Sequence, residues 1–559
     1  MNSPDITQDA DSRVSTHQVF NQTPPLENHN AWAGDIALRE AVARHGGGWG
    51  EGELAEHGAI TGSARVIEWG FLANEHRPVF HPHDRHGHRV DLVKFHPAYH
   101  ELMGLALRAG IHATPWTDPR PGAHVGRAAR NYLQTQVEAG HGCPLTMTFA
   151  AVPTLKLTPA IADTWLPRVL ARDYDPRNLP YFEKRAVTLG MGMTEKQGGS
   201  DVRANTSVAR PTGAGGPGEL YALTGHKWFL SAPMSDAFLM LAQAPEGLSC
   251  FLVPRWRPDG TKNPLEIQRL KNKLGNVSNA SSEVEMRGAL GWLVGEAGRG
   301  VAAIIEMVAL TRFDCMVGSM AGQRQAVAQA IHHANHRHAF GKRLANQPLM
   351  RNVLADLQLE VEGAMALTLR MAEALDNLHD QHEKHLLRLG TAVGKYWICK
   401  RTPGHAYEAM ECLGGNGVSE EFILARLYRE APINAIWEGS GNIQALDVLR
   451  ILVKTPAVLA AWFAELEASM GEYPALDRAV GALKQALGDQ SGMEYRARHL
   501  LERLALTMQA SLLIRAGNNA VADAFVASRL DRAGAHNYGT LPPGLDIETL
   551  LRRADPLRD

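Results

Sequence analysis

The sequence predicts an α+β protein that is mostly helical, with a β-domain in the middle of the chain. Apolar residues recur at helical spacing from 35 to about 165, and again in wide stripes between 299 and 430. Between 184 and 288 the pattern changes to short runs rich in β-branched and aromatic residues, separated by turn clusters. The 559 residues are enough for several domains with sizeable cores.

The first part of the chain divides into an extended arm, 1–30, and a helical domain, 31–183. A histidine-rich stretch between 74 and 100 interrupts the helical pattern. Neutral imidazoles bind zinc or nickel, but prolines and a glycine interrupt this run and no regular ligand spacing completes a site. We therefore expect a solvated loop and no metal. Its histidines are His76, His81, His83, His86, His88 and His96.

The middle domain, 184–290, is predicted to contain strands within 220–231, 237–243, 249–253 and 282–286. A glycine-rich stretch at 213–218 is predicted to be a flexible hairpin connection. The middle domain as a whole has roughly a hundred residues, a normal length for a domain.

The last part is predicted to be helical again. Apolar stripes over 299–340, 346–378, 383–412 and 419–430 predict a helix bundle within 291–455, with any cofactor groups at its rim. A further helical segment fills 456–559 and ends in a tail, containing proline and glycine, from Gly534.

Composition excludes several classes. The net charge of −2 gives no global attraction to nucleic acid or anionic lipid. The five cysteines are scattered, without a Cys-x-x-Cys pair, which favours reduced thiols in a cytoplasm. The polar N-terminus has no apolar leader, and no run is long and uncharged enough to span a bilayer. We expect a cytoplasmic protein with no membrane contact.

Two segments carry the candidate chemistry. The first, 189–202, reads Leu-Gly-Met-Gly-Met-Thr-Glu-Lys-Gln-Gly-Gly-Ser-Asp-Val, and its two adjacent glycines allow main-chain N–H groups to converge on an anion. Thr194 and Ser200 add hydroxyls suited to a flat cofactor or a phosphate. Alone, the Gly-Gly-Ser-Asp part would be a surface turn.

The second segment combines Leu-Gly-Gly-Asn-Gly at 413–417 with Ile-Trp-Glu-Gly-Ser-Gly-Asn-Ile-Gln at 436–444. Glu438 lies beside Trp437 and ahead of a tight turn, so desolvation should raise its pKa and improve it as a base toward a weakly acidic carbon. Alone, it would more often be a helix-cap or surface carboxylate. No Gly-x-Gly-x-x-Gly fingerprint opens a βαβ unit.

The 189–202 segment resembles the flavin-binding segment of the acyl-CoA dehydrogenases, and its sequence is most similar to that of the AidB branch, the alkylation-response flavoproteins. The resemblance runs from about 16 to 455, and more loosely to the end. It implies a helical N-terminal domain, a middle β-barrel, a C-terminal four-helix bundle and an AidB-type helical extension at 456–559. It also implies FAD between β-domain and bundle, in a homotetramer that shares each cofactor across an interface.

In this family a carboxylate removes the α-proton of a thioester while the β-hydride goes to flavin N5. Glu438 matches one family position for that base. The other position corresponds to Thr311, ahead of Arg312, and threonine cannot serve. The resemblance further implies that Trp228 packs beside the flavin, and that Arg337 reaches the pyrophosphate of a neighbouring subunit. Glu411 stands where the family usually has glutamine. The implied cofactor contacts are Met191, Thr194, Gly199, Ser200, Trp228, Phe229, Leu230, Arg337, Phe340, Gly414, Gly415, Gly417, Ile436, Trp437, Gly439, Ser440, Gly441 and Asn442.

The leading hypothesis is an FAD-dependent oxidoreductase acting on an acyl-CoA whose acyl chain the sequence does not specify. The alternative is a DNA-associated flavoprotein of the alkylation response with only residual dehydrogenase activity. Residues 451–559 contain 12 Lys and Arg against 13 Asp and Glu, so the extension offers duplex DNA only local basic patches, such as Arg496, Arg498 and Arg503. DNA binding is therefore expected to be weak. A structural protein without flavin ranks third, because three separated cofactor motifs would have to be coincidental.

Overall fold

A computed structural model describes residues 16–531 and 537–558. The described part of the predicted arm, 16–30, contains no helix. It lies along the end of a long bundle helix, where the Asn21 side chain exchanges two hydrogen bonds with the backbone of His338, at 2.8 and 2.9 Å. The remainder of the predicted arm, 1–15, lies outside the described residues.

The N-terminal domain is helical, as predicted. Its helices are α1 (Ile36–Arg44), α2 (Glu51–Thr61), α3 (Ala64–Glu75), α4 (Pro97–Arg108), α5 (Thr114–Thr117), α6 (Ala123–Val137), α7 (Gly142–Leu155) and α8 (Pro159–Val169).

The histidine-rich stretch is not only a loop, because it forms an antiparallel hairpin of β1 (Val79–His83) and β2 (Arg89–Lys94). Asp84 organises the turn by accepting hydrogen bonds from the backbone N–H groups of His86 and His88, at 2.8 and 2.9 Å. Val93 is buried in the core of the β-domain. The hairpin thus fastens the N-terminal domain to the β-domain.

The middle domain is a closed antiparallel and parallel barrel, which confirms the predicted fold class. The strand pairing runs β6–β4–β5–β9–β7 and returns to β6, while β3 adds to β6 and β8 to β9. The sequence missed three of the strands, and the last strand continues to Val294, past the expected boundary at 290. The strands are β3 (Leu189–Gly192), β4 (Val208–Pro211), β5 (Leu220–Ser231), β6 (Ala237–Ala244), β7 (Gly247–Pro254), β8 (Leu265–Leu270) and β9 (Ser281–Val294).

The bundle is built on α9 (Gly300–His336), whose core residues join those of the N-terminal domain in one cluster. Arg127 of α6 and Asp314 of α9 form a buried bidentate pair, with Nη2 2.6 Å from Oδ2. This pair fixes α9 against the N-terminal domain one turn from Thr311. The other elements are the hairpin β10 (His338–Ala339) and β11 (Lys342–Arg343), then α10 (Pro348–Asp376), α11 (Gln381–Cys412), α12 (Ile423–Glu430), α13 (Ile433–Ile436) and α14 (Gly441–Lys454).

The extension packs against the bundle through buried ion pairs. Glu465 bonds to Arg370 of α10 and to Arg515, each at 2.6 Å. The tail predicted from Gly534 ends in a helix whose Arg553 bonds to Glu362. The extension helices are α15 (Ala457–Glu467), α16 (Pro474–Gly488), α17 (Met493–Arg515), α18 (Asn519–Phe525) and α19 (Ile547–Ala554). None of the helices in 16–531 and 537–558 combines the length and apolar character needed to cross a membrane.

Candidate active site

The turn 437–439, between α13 and α14, is held in a conformation that non-glycine residues rarely adopt. Glu438 has φ +56° and Gly439 has φ +94°. A glutamate in the left-handed region costs about 1–3 kcal/mol, and such strain concentrates at functional sites. The surrounding structure must therefore hold the turn in place.

Three side chains donate hydrogen bonds to the backbone carbonyls of this turn. Lys395 of α11, which is 1% exposed, lies 2.7 Å from the Trp437 oxygen and also donates to Gly439. Arg312 Nε donates to the Glu438 carbonyl at 3.0 Å. Gln444 donates to the carbonyls of Glu438 and Gly439, both at 3.0 Å. These contacts hold the backbone of the turn in place, and none of them is made to the Glu438 carboxylate.

The Glu438 carboxylate has one side-chain hydrogen bond and no ion pair among the described residues. Thr311 donates its hydroxyl to Glu438 Oε2 at 2.8 Å. Burial raises the pKa of Glu438, while the Thr311 hydrogen bond and the charges of Arg312 and Lys395 oppose that rise. Arg312 is itself paired with Asp447 at 2.8 Å. The result is a buried carboxylate whose pKa is shifted upward, in the direction that the sequence predicted.

The two family positions for the base meet in this structure. Thr311 cannot remove a proton, but its hydroxyl donates a hydrogen bond to the Glu438 carboxylate. Sequence reasoning excluded Thr311 as a base and did not foresee this contact, because 127 residues separate it from Glu438.

The 189–202 segment is organised by a buried carboxylate, Glu195. Both side chains of the Glu195–Lys227 ion pair are fully buried, at 2.8 Å. Glu195 also accepts hydrogen bonds from the backbone of Thr206 at 2.7 Å and Ser207 at 3.3 Å. Although burial opposes ionisation, Lys227 and these hydrogen bonds lower the pKa of Glu195 to about 2. This residue shapes the loop and stays ionised.

The same ion pair connects the segment to β5. The backbone N–H of Trp228 donates a hydrogen bond to the Thr194 carbonyl at 2.8 Å, so Met191 and Thr194 lie beside the end of β5. Phe229 is 47% exposed there, and Lys271 lies 3.3 Å from the ring centroid of Trp228. Leu230 is buried in the barrel core, and its carbonyl accepts a hydrogen bond from the Ser282 hydroxyl at 2.9 Å.

Ser231, at the end of β5, is a polar residue that the sequence analysis did not single out. Its hydroxyl lies 3.0 Å from that of Ser281, which accepts a hydrogen bond from Lys273 at 2.9 Å. Burial raises the pKa of the Cys143 thiol to about 11, with Glu438 adding to the rise and Lys273 opposing it. Cys143 therefore lies near both Glu438 and the barrel edge, and the region around Glu438, Cys143 and Ser231 is called the candidate cleft below.

The residues predicted to hold the dinucleotide fit an anionic group. Ser440 begins α14 without using its hydroxyl as a cap, and the first N–H groups of a helix favour phosphate. Gly414 has φ +58°, and a Cβ at Gly414 or Gly415 would meet no atom within 4 Å. An open backbone, free hydroxyls and a half-exposed aromatic ring suit FAD.

Two predicted cofactor residues lie apart from this cleft within one chain. Arg337 donates to the Asn21 carbonyl of the N-terminal arm. Phe340 is 98% exposed at the tip of the β10–β11 hairpin. Both residues follow the C-terminal end of α9, far along this helix from Thr311.

Three family models match the chain in order. The adaptive response protein AidB N-terminal domain matches 21–176, the acyl-CoA dehydrogenase middle domain matches 190–289, and the acyl-CoA dehydrogenase C-terminal domain matches 298–453. The putative acyl-CoA dehydrogenase AidB of Escherichia coli K12 is 47% identical over 524 residues, which cover 93% of this chain and 95% of that protein. This chain belongs to the acyl-CoA dehydrogenase family. Within the family it is an AidB homologue and an acyl-CoA dehydrogenase-like enzyme.

Solved structures agree with this assignment. The structure of Caenorhabditis elegans ACDH-11 in complex with C11-CoA superposes with a TM-score of 0.81 at 26% identity, covering 99% of this chain and 96% of that one. An acyl-CoA dehydrogenase complexed with FAD from Bacillus anthracis has a TM-score of 0.65 at 17% identity, over 83% of this chain and 87% of that one. At that identity the second likeness concerns the fold alone.

Proposed function

We propose that this protein is an FAD-dependent dehydrogenase of acyl-CoA thioesters, with Glu438 as the base that removes the α-proton. The observation that carries the proposal is a buried carboxylate that forms no ion pair among the described residues and is held in a strained turn. The C11-CoA bound to the C. elegans relative supports a thioester as the ligand class.

The residues of this chain would divide the task as follows. FAD, when bound, supplies the acceptor for the β-hydride at its N5 atom. Ser231 and the Thr194 segment lie on the barrel side, and Ser440 and Asn442 offer polar groups for the dinucleotide at the start of α14. Glu438 takes the α-proton, and its partners Lys395 and Arg312 hold the backbone of the turn so that the carboxylate keeps its position.

The proposed assembly is supported by Arg337 and Phe340, which follow the C-terminal end of α9, far along this helix from Thr311. We propose a homotetramer in which these residues complete a neighbour's cofactor site. Arg337→Ala is expected to weaken FAD retention and tetramer stability together, measured by flavin fluorescence after gel filtration and by light scattering. A fully loaded, stable monomer would refute the shared site.

Duplex DNA binding, the second function suggested by the resemblance, has little geometric support. Arg496 is engaged with the Asp489 carbonyl at 2.6 Å, and Arg498 with Asn442 at 2.8 Å. We expect weak binding that is lost near physiological salt, since each phosphate contact contributes about −0.9 to the slope of log affinity against log salt. Titration of labelled duplex at several salt concentrations measures this slope. Tight binding at high salt would contradict it.

The proposed function is tested by the colour of the purified protein. We expect a flavin absorbance spectrum, release of FAD rather than FMN on denaturation, and bleaching when an acyl-CoA is added without oxygen. A colourless protein that does not take up FAD would refute the proposal, and so would a yellow protein that no acyl-CoA reduces.

A further inference from the structure

A cavity lies behind the turn 437–439, and its walls combine apolar side chains with a few polar ones. It encloses about 560 Å³ of empty space, part of it open to solvent, between the end of α6, the middle of α9 and α12. Gly318 and Gly322, one turn apart on α9, face it. A Cβ at Gly322 would meet no atom within 4 Å, so the space depends on the absence of a side chain there.

The cavity is joined to the active site through Asn434. Asn434 lines the cavity, and its Oδ1 accepts a hydrogen bond from the Trp437 indole at 2.8 Å, one residue before Glu438. Helix α9 also serves both places, because Thr311 contacts Glu438 and Gly318 lies seven residues further on, about 10 Å along the axis. The far end of an acyl chain that begins at Glu438 would enter this cavity.

The carboxylates of the cavity already have their partners. Glu138 accepts hydrogen bonds from the backbone N–H of Gly140 at 2.8 Å and His141 at 2.9 Å, and from the Ser278 hydroxyl at 2.8 Å. Glu430 accepts the backbone N–H and the side-chain amide of Asn276. Neither carboxylate requires a ligand.

The groups without partners are both donors. Gln136 is 8% exposed, and its Nε2 has no hydrogen-bond partner among the described residues. Arg426 donates through Nη2 to the Val137 carbonyl at 2.7 Å, while its Nη1 is buried and also lacks a partner within 16–531 and 537–558. Buried donors without acceptors are costly, so an occupant that supplies an acceptor is favoured.

We propose that this cavity selects acyl-CoA thioesters whose chain carries a neutral oxygen, a hydroxyl or keto group, and that Gln136 and Arg426 donate to that oxygen. Among the described residues, two carboxylates, Glu138 and Glu430, line the cavity, and Arg426 is the cation that lines it. A carboxylate on the acyl chain would be repelled by the first two more than Arg426 attracts it, so an anionic tail is disfavoured. A plain hydrocarbon would leave both donors without partners. The inference rests on the proposed function, because it assumes that the thioester lies at Glu438.

Calorimetric titration of the FAD-loaded protein tests the proposal with non-oxidisable thioether analogues of medium-chain acyl-CoA. The analogues carry a terminal hydroxyl, a terminal carboxylate or no substituent, at matched lengths. One neutral hydrogen bond predicts about 3- to 10-fold tighter binding of the hydroxylated analogue at the best length. Gln136→Met, which keeps the volume but removes the donor, should abolish most of that preference and leave the unsubstituted analogue unchanged.

A cavity-filling variant gives an independent test. Gly322→Leu should weaken binding of every medium-chain analogue at least 10-fold while binding of a butyryl analogue stays unchanged. Gly404→Leu is the matched control, since Gly404 is another helical glycine with no atom within 4 Å of its Cβ, and it lies outside the cavity.

Three results would overturn the proposal. They are equal affinity for the hydroxylated and plain chains, a preference for the carboxylate, and a hydroxyl preference that survives in Gln136→Met. Binding of the butyryl analogue distinguishes failure of this inference from failure of the proposed function. If it binds while the longer analogues show no preference, only this inference fails; if no analogue binds, the proposed function fails with it.

Discussion

Two glutamates, each in one of the recognisable motifs, have opposite environments. Glu195 is fully buried and pairs with Lys227 at 2.8 Å, and its pKa falls to about 2. Glu438 has a single hydroxyl partner and no ion pair among the described residues, and burial raises its pKa. One carboxylate is fixed in its charged form, whereas the other can gain and lose a proton.

The difference lies in where the nearby cations point. Lys227 directs its ammonium group at the Glu195 carboxylate itself. Lys395 and Arg312 lie close to Glu438 but donate to backbone carbonyls, so they fix the turn without neutralising the carboxylate. Burial alone therefore does not make a base. A base needs burial combined with partners that hold the backbone and leave the carboxylate free.

The largest expected effect is the removal of the free carboxylate. Glu438→Gln preserves the shape and the Thr311 contact, so FAD should still bind while reduction by acyl-CoA falls about 100- to 10,000-fold. Anaerobic stopped-flow absorbance measures the rate. Asp376→Asn is the control, because burial also raises the pKa of Asp376, to about 6, at a position outside the cleft. Parental rates in Glu438→Gln would place the base elsewhere.

The paired glutamate should instead affect stability. Glu195→Gln leaves Lys227 buried without its counter-charge, which costs roughly 3–5 kcal/mol in the free energy of unfolding. Denaturant titration measures it, and the double variant Glu195→Gln/Lys227→Met should recover part of the loss. An unchanged midpoint in the single variant would contradict a structural role.

Glu195 also predicts a pH window for stability. Because its pKa is about 2 in the folded protein and 4.5 otherwise, its contribution is complete above about pH 4.5 and is lost as pH falls toward 2. The parent should lose more stability across this window than the double variant. If the parent and the double variant lost the same stability between pH 4.5 and pH 2, this assignment would be ruled out.

These contrasts also mark how far the sequence alone could go. The mostly helical chain and the barrel strands at 220–231 and 237–243 were foreseen, because local periodicity carries them. The raised pKa of Glu438 was also expected, from the apolar neighbours in its motif. Lys395 was not foreseen, since its contact with the turn spans 42 residues and a lysine within a long helix resembles many others. The position of Lys227 could have indicated the buried ion pair. Lys227 lies on the same inward face of β5 as Tyr221 and Leu223, where a charge requires a buried partner.

A smaller effect is expected when the backbone of the catalytic turn loses a donor. Lys395→Met removes two hydrogen bonds to the turn, and a misplacement near 1 Å can cost up to about 100-fold in rate. The flavin spectrum and the FAD content should stay unchanged. Lys384→Met, at an exposed position of the same helix, is the control and should behave as the parent. Full activity in Lys395→Met would show that the other two donors suffice.

The smallest expected effect concerns the hydroxyl partner. Thr311 lowers the pKa of Glu438, so Thr311→Val should raise that pKa and move the acid limb of the kcat/KM profile to higher pH. The rate on the plateau should change little. Thr311→Ser keeps the hydroxyl and should retain the parental limb. A limb that moves to lower pH would reverse the assigned role of Thr311.

The central claim is that the free carboxylate of Glu438 takes the α-proton, and proton exchange tests it most directly. FAD-loaded protein is incubated without oxygen with a medium-chain acyl-CoA in heavy water, and the α-methylene signal is followed by NMR. The parent and Asp376→Asn should replace α-protons with deuterium at the same rate, while Glu438→Gln should show no exchange above the rate in buffer. Exchange by Glu438→Gln at the parental rate would contradict the account.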